Sequence, residues 1–322
     1  MTTDRILGRE AAARYGWWIA NRFLVLRRIA QFGFLAVFLT GPLFGILLAN
    51  GWIAKDKPFG HWIAKGGAWI TKGTLASSKT FDVLPLTDPF ILVQSLVARH
   101  LPETAAFTGA AIVLIAYLLL GGRTYCSWVC PINPVTDLAA YLRRRLGLGK
   151  GLNMRPATRM WVLAAVIIVS AATGTIAWEI VNPITALWRA LVFGLGFGLA
   201  GTAAIFLFDL LVVSHGWCGH ICPVGAFYGL IGRATLLRVS ASGRERCDDC
   251  LECFNVCPEM HVIAPALRGE KTGRGPVITS ADCTVCGRCI DVCAERCFVL
   301  THRFNEATDP APAAKQETAG AV

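Results

Sequence analysis

Charge is scarce in this chain: Asp, Glu, Lys and Arg make up 16% of 322 residues, and only 21 of them are acidic. Soluble globular domains carry roughly 25% charged residues, so a water-facing surface of ordinary composition is excluded. Polar low-complexity composition and collagen periodicity are missing too, which removes disordered and fibrous classes. No Gly-x-Ser-x-Gly elbow, Walker A loop or His-Glu-x-x-His helix occurs, so the sequence gives serine hydrolysis, nucleotide hydrolysis and zinc proteolysis no footing. What the chain does have is apolar mass, 54% hydrophobic residues with mean hydropathy +0.52, and 13 cysteines. The net charge of +10 sits beside apolar runs, where basic residues orient a chain in a bilayer and meet anionic lipid; nucleic acid is disfavoured.

Four uncharged stretches approach the roughly 20 residues that cross a bilayer as helix: Ile29 to Asn50, Thr104 to Gly122, Met160 to Trp178, and Ala190 to Phe208, the last continuing past Asp209 to about Ser214. The first is expected to be a retained anchor, being too long for a signal peptide and lacking a cleavage pattern. Arg5, Arg9, Arg14, Arg22, Arg27 and Arg28 precede it, and Arg123, Arg143, Arg144, Arg145, Lys150, Arg155 and Arg159 crowd the connection between the second and third spans. Both regions read as cytoplasmic, with both termini on that side and 51–103 and a short 179–188 turn outside. Trp17, Trp18, Trp52, Trp62, Trp161, Trp178, Trp188 and Trp217 sit near span ends as interfacial anchors, and Gly194, Gly198 and Gly201 mark a packing face.

The expected fold class is therefore an α-helical membrane protein with four transmembrane helices in two related hairpins, followed by a small α+β bacterial-ferredoxin-like domain. The expected divisions are a basic cytoplasmic segment (1–28), the membrane domain (29–214), the ferredoxin-like domain (215–304) and a disordered tail (305–322). An internal repeat supports the hairpins. Asp88-Pro89-Phe90 leads into a span ending in Cys126-Ser127-Trp128-Val129-Cys130-Pro131, and Asn182-Pro183-Ile184 leads into one ending in Cys218-Gly219-His220-Ile221-Cys222-Pro223. Proline to first cysteine is 37 steps in one half and 35 in the other, which places the two C-x3-C-P motifs at one membrane depth.

The remaining cysteines carry the most specific signal. Cys247-x2-Cys250-x2-Cys253-x3-Cys257-Pro258 is the bacterial ferredoxin run, and Cys283-x2-Cys286-x2-Cys289-x3-Cys293 repeats it without the proline. In such pairs of runs the fourth cysteine turns to the other cluster. Two 4Fe-4S clusters are expected, one on Cys247, Cys250, Cys253 and Cys293, the other on Cys283, Cys286, Cys289 and Cys257. Zinc, which uses paired C-x2-C units, and disulfides, which need an oxidising compartment, fit less well. Ala294 stands where the second run would have proline, and Cys297 is read as an extra thiol. The pairs Cys126/Cys130 and Cys218/Cys222 lie at i, i+4 if helical; together they could hold a third metal centre, form a reversible thiol pair, or serve packing and assembly.

At these residues the sequence resembles the NapH/MauN family of ferredoxin-type membrane proteins. The resemblance rests on Pro85-Leu86-Thr87-Asp88-Pro89, Gly121-Gly122-Arg123 running into the first C-x3-C-P motif, His215 through Arg233, and the two ferredoxin runs. It implies four spans in the bacterial inner membrane and cytoplasmic clusters. It also implies the role of a quinol dehydrogenase subunit drawing electrons from the quinol pool for a periplasmic nitrate reductase system, with a NapG-like ferredoxin subunit and a NapC-like multihaem cytochrome as partners. Two other functions stand beside it: a maturation or assembly factor supplying electrons to a reductase cofactor or metal centre, and a membrane anchor whose clusters only dock a partner. Asp209, His215 and His220 are the candidates for proton handling, since an acid at membrane depth is costly and imidazole titrates near neutrality.

Overall fold

A computed structural model describes residues 7–49, 71–73, 77–80, 84–149, 151–152, 154–194 and 196–305. The N-terminal third forms α1 (Arg9–Tyr15), α2 (Trp17–Ala20), α3 (Arg22–Ala49) and an antiparallel sheet of β1 (Thr71–Gly73), β2 (Ser77–Thr80) and β3 (Leu84–Thr87). The helical middle follows as α4 (Pro89–Val97), α5 (Thr104–Leu120), α6 (Thr124–Trp128), α7 (Ile132–Arg145), α8 (Thr158–Thr173), α9 (Ala177–Val181), α10 (Pro183–Phe193), α11 (Gly196–Leu211) and α12 (Pro223–Gly232). Beyond it lie β4 (Leu237–Ser240), α13 (Glu252–Val256), α14 (Ile263–Leu267), α15 (Arg288–Val292) and β5 (Val299–His302). The expected tail falls, after Asn305, outside the described residues.

The repeat is visible as local chemistry. Asp88 caps α4 by accepting from the Phe90 amide at 2.9 Å, and Asn182 caps α10 by accepting from the Ile184 amide at 3.0 Å. In each half proline occupies the first helical position, where its missing N–H costs nothing. Each short helix then turns back into a longer apolar one, α5 or α11, and each half ends in a cysteine motif: α6 in the first, a π-helical turn over Trp217–Ile221 in the second. The halves meet tightly. A side chain on Gly122 would lie 2.3 Å from the Gly232 amide nitrogen, so only glycine lets the end of α5 touch α12.

Four expectations from the sequence differ from the structure. The fourth apolar run is not one helix: α10 ends at Gly194, whose left-handed φ of 70° reverses the chain before α11 begins. Residues 179–188, expected to be a turn, are mostly helical in α9 and α10. Gly198 is a close-packing position, where a Cβ would sit 2.1 Å from the Ala186 carbonyl, whereas Gly201 has nothing near it. Trp178 and Trp188 are buried core side chains, while Trp17, Trp18 and Trp161 are exposed.

Among the described residues one helix, over Arg22–Thr40, is long and apolar enough to cross a membrane. The other apolar helices, including α5, α8 and α11, are shorter. All four leave large apolar side chains uncovered: Phe32 on α3, Ile115 on α5, Ile168 on α8 and Phe197 on α11.

Two main apolar cores follow. The first joins Phe90, Tyr125, Ile132, Leu163, Trp178, Ile184, Leu187, Ile205 and Tyr228. Since α12 supplies Val224, Ala226 and Tyr228 to it, the expected division at His215 falls inside this helical core. The second gathers Val239, Ile263, Ile278, Val292 and Phe298 around the ferredoxin runs, with β4 and β5 antiparallel from Leu237↔His302 to Ser240↔Val299. The N-terminal segment is tied to the second core. Asp291 accepts from the Phe23 and Leu24 amides at the start of α3, Glu252 accepts from the Gly8 amide, and the Arg296 guanidinium lies 3.8 Å over the Tyr15 ring.

Candidate iron-sulfur and cysteine centres

The two ferredoxin runs fold alike because both bend at the same offsets. Asp249 (φ 58°) and Leu251 (φ 63°) in the first run match Val285 (φ 49°) and Gly287 (φ 73°) in the second. Three of these are not glycine, and Val285 is β-branched, so each loop holds a conformation that costs of order 1–3 kcal/mol per residue and persists because its surroundings impose it. The result is a curl that turns thiols inward.

All 13 cysteines line one of three cavities. Cys247, Cys250, Cys253 and Cys293 line the first together with Cys297, beside Phe254, Leu267 and Phe298. Cys257, Cys283, Cys286 and Cys289 line the second, walled by Val239, Val262, Ile263 and Ile278. Each cavity thus takes three cysteines from one run and the fourth from the other. Cys126, Cys130, Cys218 and Cys222 line the third, inside the helical core with Tyr125, Ile132, Trp178 and Trp217. None of the 13 cysteines is paired in a disulfide. Four sulfurs around an apolar-walled space are a donor set suited to an iron-sulfur centre.

Cys297 is buried at the first cavity, and its amide donates to Cys293 Sγ at 3.3 Å. Burial pushes the thiols of Cys126, Cys130, Cys218 and Cys222 up, Cys222 to about 12, so as free thiols they are protonated and poor nucleophiles.

A buried ion network joins the third cavity to the second. Glu259, two residues after Cys257, accepts from Arg123 Nη1 and Arg159 Nη1, both at 2.7 Å, and is almost fully buried. Arg159 also pairs with Asp282, the neighbour of Cys283. The same guanidiniums reach the C-x3-C turn: Arg123 donates to the Cys218 carbonyl at 3.1 Å and Arg159 to the Gly219 carbonyl at 3.2 Å. Burial works to raise the Asp282 carboxyl, but the His261 hydrogen bond at 2.8 Å and the two arginines outweigh it and hold it below its ordinary value. The same bond raises His261.

Of the proton-handling candidates, Asp209 is fully buried and spends one oxygen on the Trp217 amide at 2.9 Å, capping the turn that carries Cys218. His215 is buried with a left-handed φ of 53°, and His220 Nδ1 has no partner among the described residues. The three are not brought onto one shared contact. A different group is assembled instead: Tyr228 stacks on Tyr125 at 5.2 Å, packs on Tyr117 at 5.1 Å, and donates to Asp88 at 3.1 Å. Burial pushes the Asp88 carboxyl up to about 6, partly offset by the Phe90 amide and the Tyr228 hydroxyl. Sequence reasoning passed over these tyrosines and over Glu259. The available signals were an acid directly after Cys257-Pro258 and tyrosines at the ends of apolar runs.

Comparison with known proteins agrees with this chemistry. The family described as a 4Fe-4S binding domain matches residues 103–149 and 195–243, the two repeat halves that carry the C-x3-C-P motifs. The chain is 46% identical to the ferredoxin-type protein NapH of Escherichia coli (strain K12) over 94% of its length and 96% of that protein. It is 44% identical to the NapH of Haemophilus influenzae over 94% of its length and 97% of that protein. It is 46% identical to the methylamine utilization ferredoxin-type protein MauN of Methylorubrum extorquens over 91% of its length and 94% of that protein. No solved structure matches the chain.

Proposed function

The chain belongs to the NapH/MauN family of ferredoxin-type iron-sulfur electron transport proteins, and from that premise we propose that it is a membrane subunit taking electrons from quinol toward a periplasmic reductase, in the manner of a nitrate reductase system. The observation that carries the reading is the gathering of the cysteines around three cavities, each with at least four sulfurs, one within the helical core and two in the cysteine-rich unit against it. A 4Fe-4S cluster accepts and passes on one electron.

Cys247, Cys250, Cys253 and Cys293 would hold one cluster, Cys283, Cys286, Cys289 and Cys257 a second, and Cys126, Cys130, Cys218 and Cys222 a further centre. The chain's own residues keep these sites in fixed relation. Arg123 and Arg159 bind Glu259 and Asp282 on one side and the Cys218 and Gly219 carbonyls on the other, so the C-x3-C turn cannot shift without breaking hydrogen bonds to guanidiniums that buried carboxylates hold in place.

Exposed apolar side chains on α3, α5, α8 and α11 support four spans in the inner membrane, with both termini and the cysteine sites on the arginine-rich cytoplasmic side. A NapG-like ferredoxin subunit and a NapC-like cytochrome are the partners this reading calls for. The test is purified, anaerobically handled protein mixed with ubiquinol or menaquinol without partners. Bleaching of iron-sulfur absorbance by either is the expected result. A full iron complement that neither quinol bleaches would overturn quinol oxidation.

A further inference from the structure

A cavity of about 600 Å³ lies where the start of α3, helix α7 and helix α15 converge, and Arg288 stands between it and the second cysteine cavity. Its polar lining is strongly one-signed. Arg27, Arg28, Arg144, Arg145 and Arg288 face it against only Asp137 and Asp291. Asp137 is one carboxylate shared among three of these arginines, Arg27, Arg28 and Arg288, and Asp291 caps α3, so the lining keeps an excess of positive charge.

Arg27 is the odd member. It is 1% exposed, its Nη1 stands 3.6 Å from Asp137, and neither Nη1 nor Nε has a hydrogen-bond partner among the described residues. Nε of Arg288 is likewise unpartnered. A buried guanidinium with unmet donors is costly, and an anion in the cavity places a compensating negative charge beside Arg27 and Arg288. The rest of the lining is apolar and open: Leu24, Phe32 and Leu138 are 37%, 57% and 52% exposed. Charged donors beside uncovered hydrocarbon, at the N-terminal end of the membrane-length helix, match an amphiphile with an anionic head.

We propose that this cavity binds the phosphate headgroup of an anionic phospholipid, with Arg27 as the buried anchor, Arg144 and Arg145 at the rim, and Leu24, Phe32 and Leu138 against an acyl chain. The proposal rests on the reading that α3 enters the bilayer. It also has a local consequence, because one wall is α15, which carries Cys289 and leads into Cys293. An anion there offsets the crowding of arginines around the ligand-bearing helix.

The experiment uses full-length protein purified in neutral detergent and reconstituted into nanodiscs of phosphatidylcholine alone or of phosphatidylcholine with phosphatidylglycerol. Incorporation into phosphatidylcholine discs tests the membrane reading by itself. Native mass spectrometry of protein released from mixed discs then counts retained lipid. One phosphatidylglycerol held in preference to phosphatidylcholine is expected, with retention falling about fivefold per arginine removed in Arg27→Gln and in the rim variant Arg144→Gln/Arg145→Gln. The rim pair is outside the buried Asp137 network and keeps the test valid if Arg27→Gln does not fold. Equal retention of both lipids, or rim and anchor variants that match wild type, would overturn the site. Displacement by millimolar inorganic phosphate would assign it to a free anion, and displacement by a short-chain quinone to the redox substrate; either result defeats the lipid proposal.

Discussion

Glu259→Gln keeps the shape and one acceptor oxygen of the side chain but removes the charge that Arg123 and Arg159 share. Oε1 receives a hydrogen bond of 2.7 Å from each, in a setting where Arg123, Arg159 and Glu259 are all 2–5% exposed. Breaking a buried ion pair from one side costs about 3–5 kcal/mol, because the orphaned partner stays desolvated. Some of that is retained here, since Arg123 still donates to the Asp282 and Cys218 carbonyls and Arg159 still pairs with Asp282. The lower end, about 3 kcal/mol, is the expected loss for Gln, and Ala, which also leaves a void, should lose more. The loss should be local, because Glu259 ties the segment after Cys257 to the turn bearing Cys218. Hydrogen exchange by mass spectrometry should show protection at 217–222 and 259–262 falling about a hundredfold, with α4 and α5 unchanged. Wild-type protection at both segments in Glu259→Gln would refute the claim that this carboxylate clamps the two cysteine sites together.

Asp88 offers a pH test whose control is supplied by the repeat. Its folded value of about 6 lies above the ordinary 3.8, so the stability its protonated form contributes is full below about pH 4 and is lost as pH rises through 6. Asp88→Asn reproduces the cap that Asn182 makes in the other half and should raise thermal stability at pH 7.5 by about 1–2 kcal/mol, a figure already reduced for the partial exposure of Asp88, with no gain at pH 4. An equal gain at both pH values would exclude ionisation as the cause. Cys293→Ser should lower anaerobic iron content by about four atoms while Cys297→Ser leaves it unchanged, and the opposite pattern would make Cys297 the ligand. Serine at Cys126, Cys130, Cys218 or Cys222 should stop quinol from bleaching the clusters while the other eight cysteines keep their iron; wild-type rates in all four variants would leave these residues structural. Reporter fusions at the C-terminus and within 51–103 should report opposite sides of the membrane, and fusions on one side would undo the orientation argued from the arginines.

Much of the candidate site was legible because its chemistry is written in short spacings. The x2, x2, x3 intervals set which thiols share a loop, and crossing of the fourth cysteine follows from a helix leaving that loop, as the linings around Cys293 and Cys257 display. The repeat could likewise be read from Asp88-Pro89 and Asn182-Pro183, since N-caps act within two residues. The break at Gly194 escaped because hydropathy is the same whether an apolar run continues or doubles back; Gly198 against the Ala186 carbonyl is what permits the reversal.

By itself, then, the amino-acid order determined the apolar helices, the cysteine sets within each motif and the runs of arginine beside the apolar stretches, all of which depend on neighbours a few residues apart. Tertiary structure alone decided where those arginines go. Arg123 finds Glu259 across 136 residues and Arg28 finds Asp137 across 109, whereas Arg27, in the same basic run, is left buried with unmet donors beside an open cavity. Charge attracts at any sequence separation, so composition can count guanidiniums but cannot say which are neutralised. That depends on which carboxylates the packed helices bring within about 4 Å, where a low-dielectric interior makes each pairing or omission consequential.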